Sequence, residues 1–519
     1  MNLSLLVNSI LSMKFTKKVA AVGAAIAIAL AGAVPHQALA TEVAPSPSTT
    51  TITERGPLGQ SGRWFTDGDG RAFLTQGSNI VYKHDPYTPE AGGFNEDDAD
   101  WLVQQGFDSM RVGIIWKAVE PEPGVYNDEY LDSIARTISM LTERGIAVLV
   151  DAHQDMYNEK FEGEFAPDWA VIDDGVPSLL KVGFPTNQAL NIGLIRAYDN
   201  FLNNREGPGG VGLQERYAAM WGHVAERLGD MPGLMGYDII NEPWPGSAYP
   251  LCYLALGDCG PAKAKLDELH QKAADQIVAK DADAIVHYEP YSMWNTGLNT
   301  DPAAPQVPET AGTALSWHVY CTTNALFNTY TGCDFFDGRV FDNAEIVSSG
   351  NGSATLLSEF GATDDADTLN GVISLARRHM VGWQYWSYCG CNDPTTQNQK
   401  EQGMVFDPTV PGPVGADAFN RDKMTILAAP HLRAVAGTPQ ATDWNRDTRV
   451  YEASWNNSRV DGTGSFAPGS TSELVVPSIN FPNGFTVNVE GGHATVAADG
   501  QTVHIVSTAD QVTVTIQPK

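Results

Sequence analysis

Eight short apolar runs recur along the chain: 73–81 (FLTQGSNIV), 109–115 (SMRVGII), 147–153 (AVLVDAH), 235–241 (MGYDIIN), 285–289 (IVHYE), 314–320 (ALSWHVY), 354–360 (ATLLSEF) and 382–388 (GWQYWSY). They are nearly continuous rather than alternating, as expected of strands covered on both faces of a parallel sheet. Helical patterns fall between several of them. Residues 128–144 place Leu131, Ile134, Ile138 and Leu141 on one face, with Asn127 as N-cap and Gly145 past the end. Residues 213–228 do the same with Leu213, Tyr217, Met220, Trp221, Val224 and Leu228. Eight strands with interleaved helices predict an α/β fold, a (β/α)₈ TIM barrel with insertions over residues 57–439. A doubly wound open sheet competes, but no GxGxxG follows a strand. After residues 436–439 (AGTP) the helical period stops. Runs 485–490, 502–507 and 511–517 alternate with period two between turn residues, which predicts a small C-terminal antiparallel β-sandwich over 440–519.

The amino-terminal region does not fit this pattern. Lys14, Lys17 and Lys18 precede an apolar run from 19 to 34, and Ala38-Leu39-Ala40 has the small-x-small form of a cleavage site. Residues 1–40 are therefore expected to be a secretory signal peptide, and 41–56, rich in Thr, Ser and Pro, a flexible lead-in. The expected localisation is secreted, outside the cell. With 519 residues, 43% hydrophobic, there is ample material for one large domain and a smaller one. A formal net charge of −30 argues against a nucleic-acid partner. Export makes disulfides available to the six cysteines. Cys252/Cys259 and Cys321/Cys333 are candidate local pairs; Cys389 and Cys391 are separated by Gly390 alone, poor geometry for an ordinary bridge. Sequence does not fix the connectivity.

The carboxyl ends of barrel strands face the active site. The eight strands would carry Lys83, Arg111, His153, Asp155, Asn241, Glu242, Glu289, His318, Tyr320, Glu359 and Trp386 to one rim. Glu242 ends its strand, and Pro243 stops further pairing; Glu359 sits likewise in LLSEFGA. Two carboxylates at one mouth suit glycoside hydrolysis, in which one acid protonates the leaving oxygen and the other attacks or activates water. Arg111 could keep one of them ionised. Each residue also has a plainer reading: core histidines for His153 and His318, a structural ion pair for Arg111, a solvated loop residue for Lys83, a core ring for Trp386, and a structural hydrogen bond for Glu289.

The segments MRVGIIW, DAHQD, IINEPW, HVY, LSEFG and YWSY resemble the active-site strands of glycoside hydrolase family 5. GSNIVYK, RVGIIWKAVEPEPGVYNDEYLD, DAHQDMY, APDWA and RAVAGTP make the chain similar to the endoglycoceramidases over about residues 60–519. That resemblance implies Glu242 as acid/base and Glu359 as nucleophile of a retaining reaction. It further implies Asn241 on the sugar 2-hydroxyl, Tyr320 orienting the nucleophile, and His318 and Arg111 supporting the carboxylates. Lys83, His153, Asp155 and Trp386 would hold the sugar next to the cleaved bond. No cofactor and no metal is implied. The substrate class would be glycosphingolipids, cut between oligosaccharide and ceramide. SYCGCNDPTT after Trp386 departs from the better-known members and leaves open the headgroup, including galactosylceramide-based lipids.

Two loops at the rim are apolar, 156–184 and 244–256. Patches of this kind are uncommon on a surface that binds nothing. Trp169, Trp244, Leu254 and Leu256 are the candidate ceramide groove; packing onto outer helices is the plainer alternative. Transient contact with a membrane surface and a monomeric state go with this reading. Two other functions compete with it. A family 5 β-glucanase or mannanase would want an open polar cleft. A non-catalytic carbohydrate-binding protein would not need both carboxylates.

Overall fold

The computed structural model describes residues 56–519 apart from 322, 325–329, 397–398, 411–412 and 414–417. The leader and nearly all of the lead-in lie outside the described residues. The eight apolar runs form Gln76–Ile80 (β1), Ser109–Ile114 (β2), Ala147–Ala152 (β3), Leu234–Asp238 (β4), Ile285–Tyr288 (β5), Gly312–Val319 (β6), Ala354–Phe360 (β7) and Gly382–Tyr385 (β8). All neighbours are parallel, and β8 closes on β1 through Trp383 opposite Gln76. Helices between the strands bury the faces that their apolar spacing marked. Asp128–Thr142 is capped by the Asn127 side chain, which accepts from Tyr130 N, and turns Leu131, Ile134, Ile138 and Leu141 inward. Leu213–Leu228 buries Tyr217 and Trp221, and both rings donate to the Ile239 carbonyl just past β4.

The carboxyl-terminal region packs two antiparallel sheets around Leu432, Tyr451, Trp455, Leu474, Ile505 and Ile516. One has four strands: Thr438–Asn445, Val450–Asn456, Gln511–Pro518 and Phe485–Glu490. The other has seven and draws three of them, Gly59–Ser61, Trp64–Thr66 and Ala72–Phe73, from the amino-terminal end. Phe65 and Phe73 of that hairpin pack with Leu149, Met235, Ile285 and Leu356, and so plug the barrel at the ends of the strands away from the carboxyl rim. The same short strands extend the sandwich and close the barrel floor.

All six cysteines are paired: Cys252–Cys259, Cys321–Cys333 and Cys389–Cys391. The last corrects the sequence expectation. The Cα atoms of Cys389 and Cys391 are 5.2 Å apart, within the ordinary range for a bridge. The chain curls to reach this, with Cys391 and Asn392 in the left-handed region at φ 46° and 56°.

Candidate active site

The mouth of the barrel is organised around one buried cation. Arg111, on β2, donates from Nη1 to Glu359 Oε1 at 2.8 Å and to Asn79 Oδ1 at 3.2 Å. From Nη2 it donates to Asp151, Asn241 and Glu289 at 2.9, 3.0 and 2.9 Å, and from Nε to Asp238 at 3.0 Å. Burial works against the guanidinium charge, but Asp151, Asp238, Glu289 and Glu359 outweigh it and hold Arg111 firmly protonated.

Glu359 lies near the end of β7. Its Oε2 accepts from the Tyr320 hydroxyl at 2.8 Å. Asn79 ties β1 to β7 through the Ser358 carbonyl at 2.9 Å. Gly361 turns the chain away at φ 106°, where a Cβ would meet the Tyr385 ring at 2.2 Å, so only glycine fits there.

Glu242 follows β4 in the left-handed region at φ 39°, an unusual state for a residue with a Cβ. Hydrogen bonds fix it there. Its N–H donates to Glu289 Oε2 at 2.8 Å. Gln154 donates to the carbonyls of Asn241 and Glu242 at 2.9 and 2.8 Å, and is itself held by the Tyr198 hydroxyl at 2.7 Å. The Glu242 carboxylate meets Asn295 Nδ2 at 2.6 Å and His318 Nδ1 at 2.8 Å. His318 Nδ1 is also 3.6 Å from Glu359, and its Nε2 is 3.3 Å from Glu289. Burial disfavours the imidazolium, but Glu289 and Glu359 outweigh burial and raise the His318 pKa well above its usual value. One oxygen of Glu242, one of Glu359 and a ring nitrogen of His318 all lie within 4.8 Å of one another. Burial raises the Glu359 pKa, against the pull of His318 and Arg111.

A second cluster flanks this pair. Lys83 Nζ donates to Asp155 Oδ2 at 2.5 Å and to Thr395 Oγ1 at 2.7 Å, and lies 3.2 Å from Asp393. Its ammonium stands 4.7 Å from the centre of the Trp386 ring, on which His153 stacks at 5.1 Å. His153 bonds Asp151 at 2.8 Å and is 3.5 Å from Asp155. Burial would lower its pKa, but Asp151 overrides it and the value rises to about 10. Burial pushes Glu164 upward as well, and both of its oxygens lack a hydrogen-bond partner among the described residues. Each cluster has donor sets close enough for a metal. In each, however, a fixed cation, Arg111 or Lys83, already bonds a carboxylate, and a dication would be repelled.

The rim residues named from sequence thus converge: Lys83, His153, Asp155 and Trp386 in one cluster, Arg111, Asn241, Glu242, His318, Tyr320 and Glu359 in the other. Glu289 braces Arg111, His318 and the Glu242 amide. Sequence reasoning missed Asp151 and Asp238, although an acid inside an apolar run was a signal. It also missed Asn79, Gln154 and Asn295, polar residues of ordinary kind, and Asp393 and Thr395 in the disulfide-bearing loop. The apolar loops divide. Leu254 is 84% and Leu256 75% exposed, and Leu179, Leu180, Leu190 and Ile192 are exposed as well. The two tryptophans are not exposed in this way, and the leucines alone are left as an apolar lip. Trp244 is buried and stacks on Tyr249, and Trp169 packs edge-on against Trp116 with its Nε1 bonded to the Glu120 carbonyl.

Comparison with known proteins gives a consistent result. Residues 66–392 match the family described as Cellulase (glycosyl hydrolase family 5), and residues 430–517 match the glycoside hydrolase family 5 C-terminal domain. Endoglycoceramidase I of Rhodococcus hoagii (strain 103S) is 29% identical over 87% of this chain and 86% of its own length. Endo-glycoceramidase II from Rhodococcus sp., solved as a lactosyl-enzyme intermediate, superposes with a TM-score of 0.71 at 27% identity, covering 88% of this chain and 99% of that one. The same protein in complex with ganglioside GM3 gives a TM-score of 0.70 at 25% identity, with the same coverage.

Proposed function

The chain belongs to glycoside hydrolase family 5, and on that premise we propose that it hydrolyses the β-glycosidic bond between an intact oligosaccharide and ceramide, with retention of configuration. The observation that carries the reading is the close approach of the Glu242 and Glu359 carboxylates, with oxygens within 4.8 Å, at the barrel mouth. Retaining glycosidases hold their carboxyls ~5–5.5 Å apart and inverting ones ~6.5–9.5 Å. Glu359, held by Arg111 and Tyr320, attacks the anomeric carbon as its bond to the ceramide oxygen breaks. Glu242 gives that oxygen its proton. The resulting glycosyl-Glu359 ester is then cleaved by water, which passes its proton to Glu242 and restores both residues. Asn241, held by Arg111, is placed for the 2-hydroxyl, and the Trp386 ring offers the sugar a stacking face.

Two observations support a lipid leaving group. The matched relatives are named for ceramide-linked substrates, and the loop that follows the acid carries Leu254 and Leu256 into solvent. Together with Leu179, Leu180, Leu190 and Ile192 they form the ceramide groove and a transient contact with a lipid surface. Export is part of the same reading and rests on the basic, apolar and small-residue leader. The secreted protein should begin at Thr41 when its amino terminus is sequenced.

Mass spectrometry of products from a panel of glycosphingolipids tests the proposal. The expected products are free ceramide and an unshortened oligosaccharide whose first-formed anomer is β by NMR. Stepwise loss of terminal sugars, or hydrolysis of β-glucan or mannan instead, would overturn it.

A further inference from the structure

We propose a separate site for the distal, uncharged sugars of the oligosaccharide, in a cavity of about 760 Å³ beside the sugar-binding cluster. The inference rests on the reading that an intact oligosaccharide is released. Loops after β1, β2 and β3 and the first half of the helix Asp128–Thr142 form the walls, and neither Glu242 nor Glu359 lines the cavity. Its walls are close in the chain to the residues of the first sugar position. Asp85, on its wall, is two residues past Lys83, and Trp169 belongs to the same loop as Asp155. The volume falls within the usual range for small-molecule sites. Walls built partly from Pro86, Pro121, Pro123 and Pro167 give it a preset shape.

The lining selects the chemistry of the occupant. Trp169 is half-buried, and its indole N–H is already committed to the Glu120 carbonyl at 3.2 Å, so it offers a ligand only ring surface, the group on which the apolar face of a sugar packs. The two cations present are neutralised: Lys117 by Glu159 and Asp168 at 3.0 and 3.1 Å, and Arg136 by Glu90 at 3.0 Å. Asp85, Glu122 and Glu129 have no ion-pair partner among the described residues and stand as acceptors for hydroxyls. An aromatic face with surplus carboxylates fits a neutral polyhydroxyl ligand and repels an acidic one such as a sialylated branch.

The test compares kcat/KM on aryl β-glycosides of one leaving group, carrying a disaccharide, a neutral tetrasaccharide or a sialylated trisaccharide. A rise of tenfold or more is expected from the disaccharide to the neutral tetrasaccharide, with no rise for the sialylated compound. Trp169→Ala should remove the rise and spare the disaccharide rate. Because Trp169 also packs on Trp116, the exposed pair Glu122→Lys/Glu129→Lys gives a second reading that leaves the core intact, and it should favour the sialylated substrate at least fivefold. Saturation-transfer NMR with the free neutral tetrasaccharide reads the cavity without catalysis, and its signal should fall in Trp169→Ala. Length-independent rates, or equal losses on short and long substrates, overturn the inference. Failure to release any intact oligosaccharide, with tetrasaccharide binding that still depends on Trp169, would instead overturn the function proposed above.

Discussion

The two sides of the barrel mouth are built on opposite principles. On the sugar side the charged groups, Glu164 excepted, have defined partners at hydrogen-bond distance, and Arg111 alone bonds four carboxylates and two amides. On the loop after Glu242, the side proposed to face the leaving group, Leu254 and Leu256 stand in water. A buried charge is tolerable only when paired, so the sugar side is fixed atom by atom. An apolar contact is set by area rather than direction, so the leucine lip needs no such precision. Chemistry should therefore fail sharply with single-atom changes on one side and gradually with lost area on the other.

The largest expected effect is at Glu359, the proposed nucleophile. Glu359→Gln keeps the size of the side chain and removes the attacking oxyanion. Hydrolysis of glycolipid and of an aryl glycoside should both fall by about 10⁴-fold or more, by analogy with the loss of a covalent nucleophile elsewhere. Initial rates on the two substrates check this. Activity within tenfold of the parent would remove Glu359 from the nucleophile role and break the comparison on its ordered side.

Next comes the lip. Leu254→Ser with Leu256→Ser removes two side chains, each worth ~1.5–3 kcal/mol when fully buried. Partial burial against an acyl chain would give a loss of about 10- to 100-fold in kcat/KM on glycolipid. On a soluble aryl glycoside the change should stay within twofold, since both leucines are exposed and neither is a member of the two clusters. Equal loss on both substrates would mean that the loop positions Glu242 and does not contact lipid.

What was legible in the sequence follows the same division. All eight barrel strands were visible because a parallel strand buried on both faces has an apolar signature that little else produces. Glu242 and Glu359 were visible because an acid ending such a run conflicts with its surroundings. The floor of the barrel was not visible: Gly59–Ser61 and Ala72–Phe73 are too short to show a period, and His431–Val435, on which Ala72–Phe73 pairs, lies more than 350 residues away. Gln154 and Asn295 were silent because an amide in a loop carries no pattern. Trp169 and Trp244 were grouped with the leucines on composition alone, and only coordinates separate rings packed on other rings from side chains that face solvent. The Cys389–Cys391 bridge was missed because its feasibility depends on left-handed backbone that the sequence CGCN does not announce.

A smaller effect concerns the pH dependence of the reaction. As the proposed nucleophile Glu359 must be ionised to attack, and burial raises its pKa above the ordinary 4.5. The acid limb of kcat/KM, which reports the free enzyme, should therefore lie above pH 4.5. His318 is a cation 3.6 Å from Glu359 and pulls that value down. His318→Asn should move the limb upward by about one unit, the low end of what one nearby charge contributes. A limb that stays in place would mean that His318 is neutral in the free enzyme. The lip variant should leave the limb where it is.

The last effect is on stability, and it separates the two sides without any substrate. His153 faces Asp151, Asp155 and Lys83, and its pKa in the folded protein is about 10 against ~6.5 for an unperturbed histidine. A group whose folded value is raised stabilises the fold fully below the unfolded value and loses that contribution as pH climbs through the folded one. The window is therefore pH 6.5 to about 10. His153→Gln should lower the melting temperature at pH 6, and the gap from the parent should narrow steadily towards pH 10. A gap that does not change with pH would show that His153 carries no proton in the fold, and the ion-pair account of the sugar side would lose a member. Leu254→Ser/Leu256→Ser carries no titrating group, so any change in its melting temperature should be the same at both ends of that window. A pH-dependent gap there would mean that the lip is coupled to the charged side, and that the two principles are not as separate as the geometry makes them.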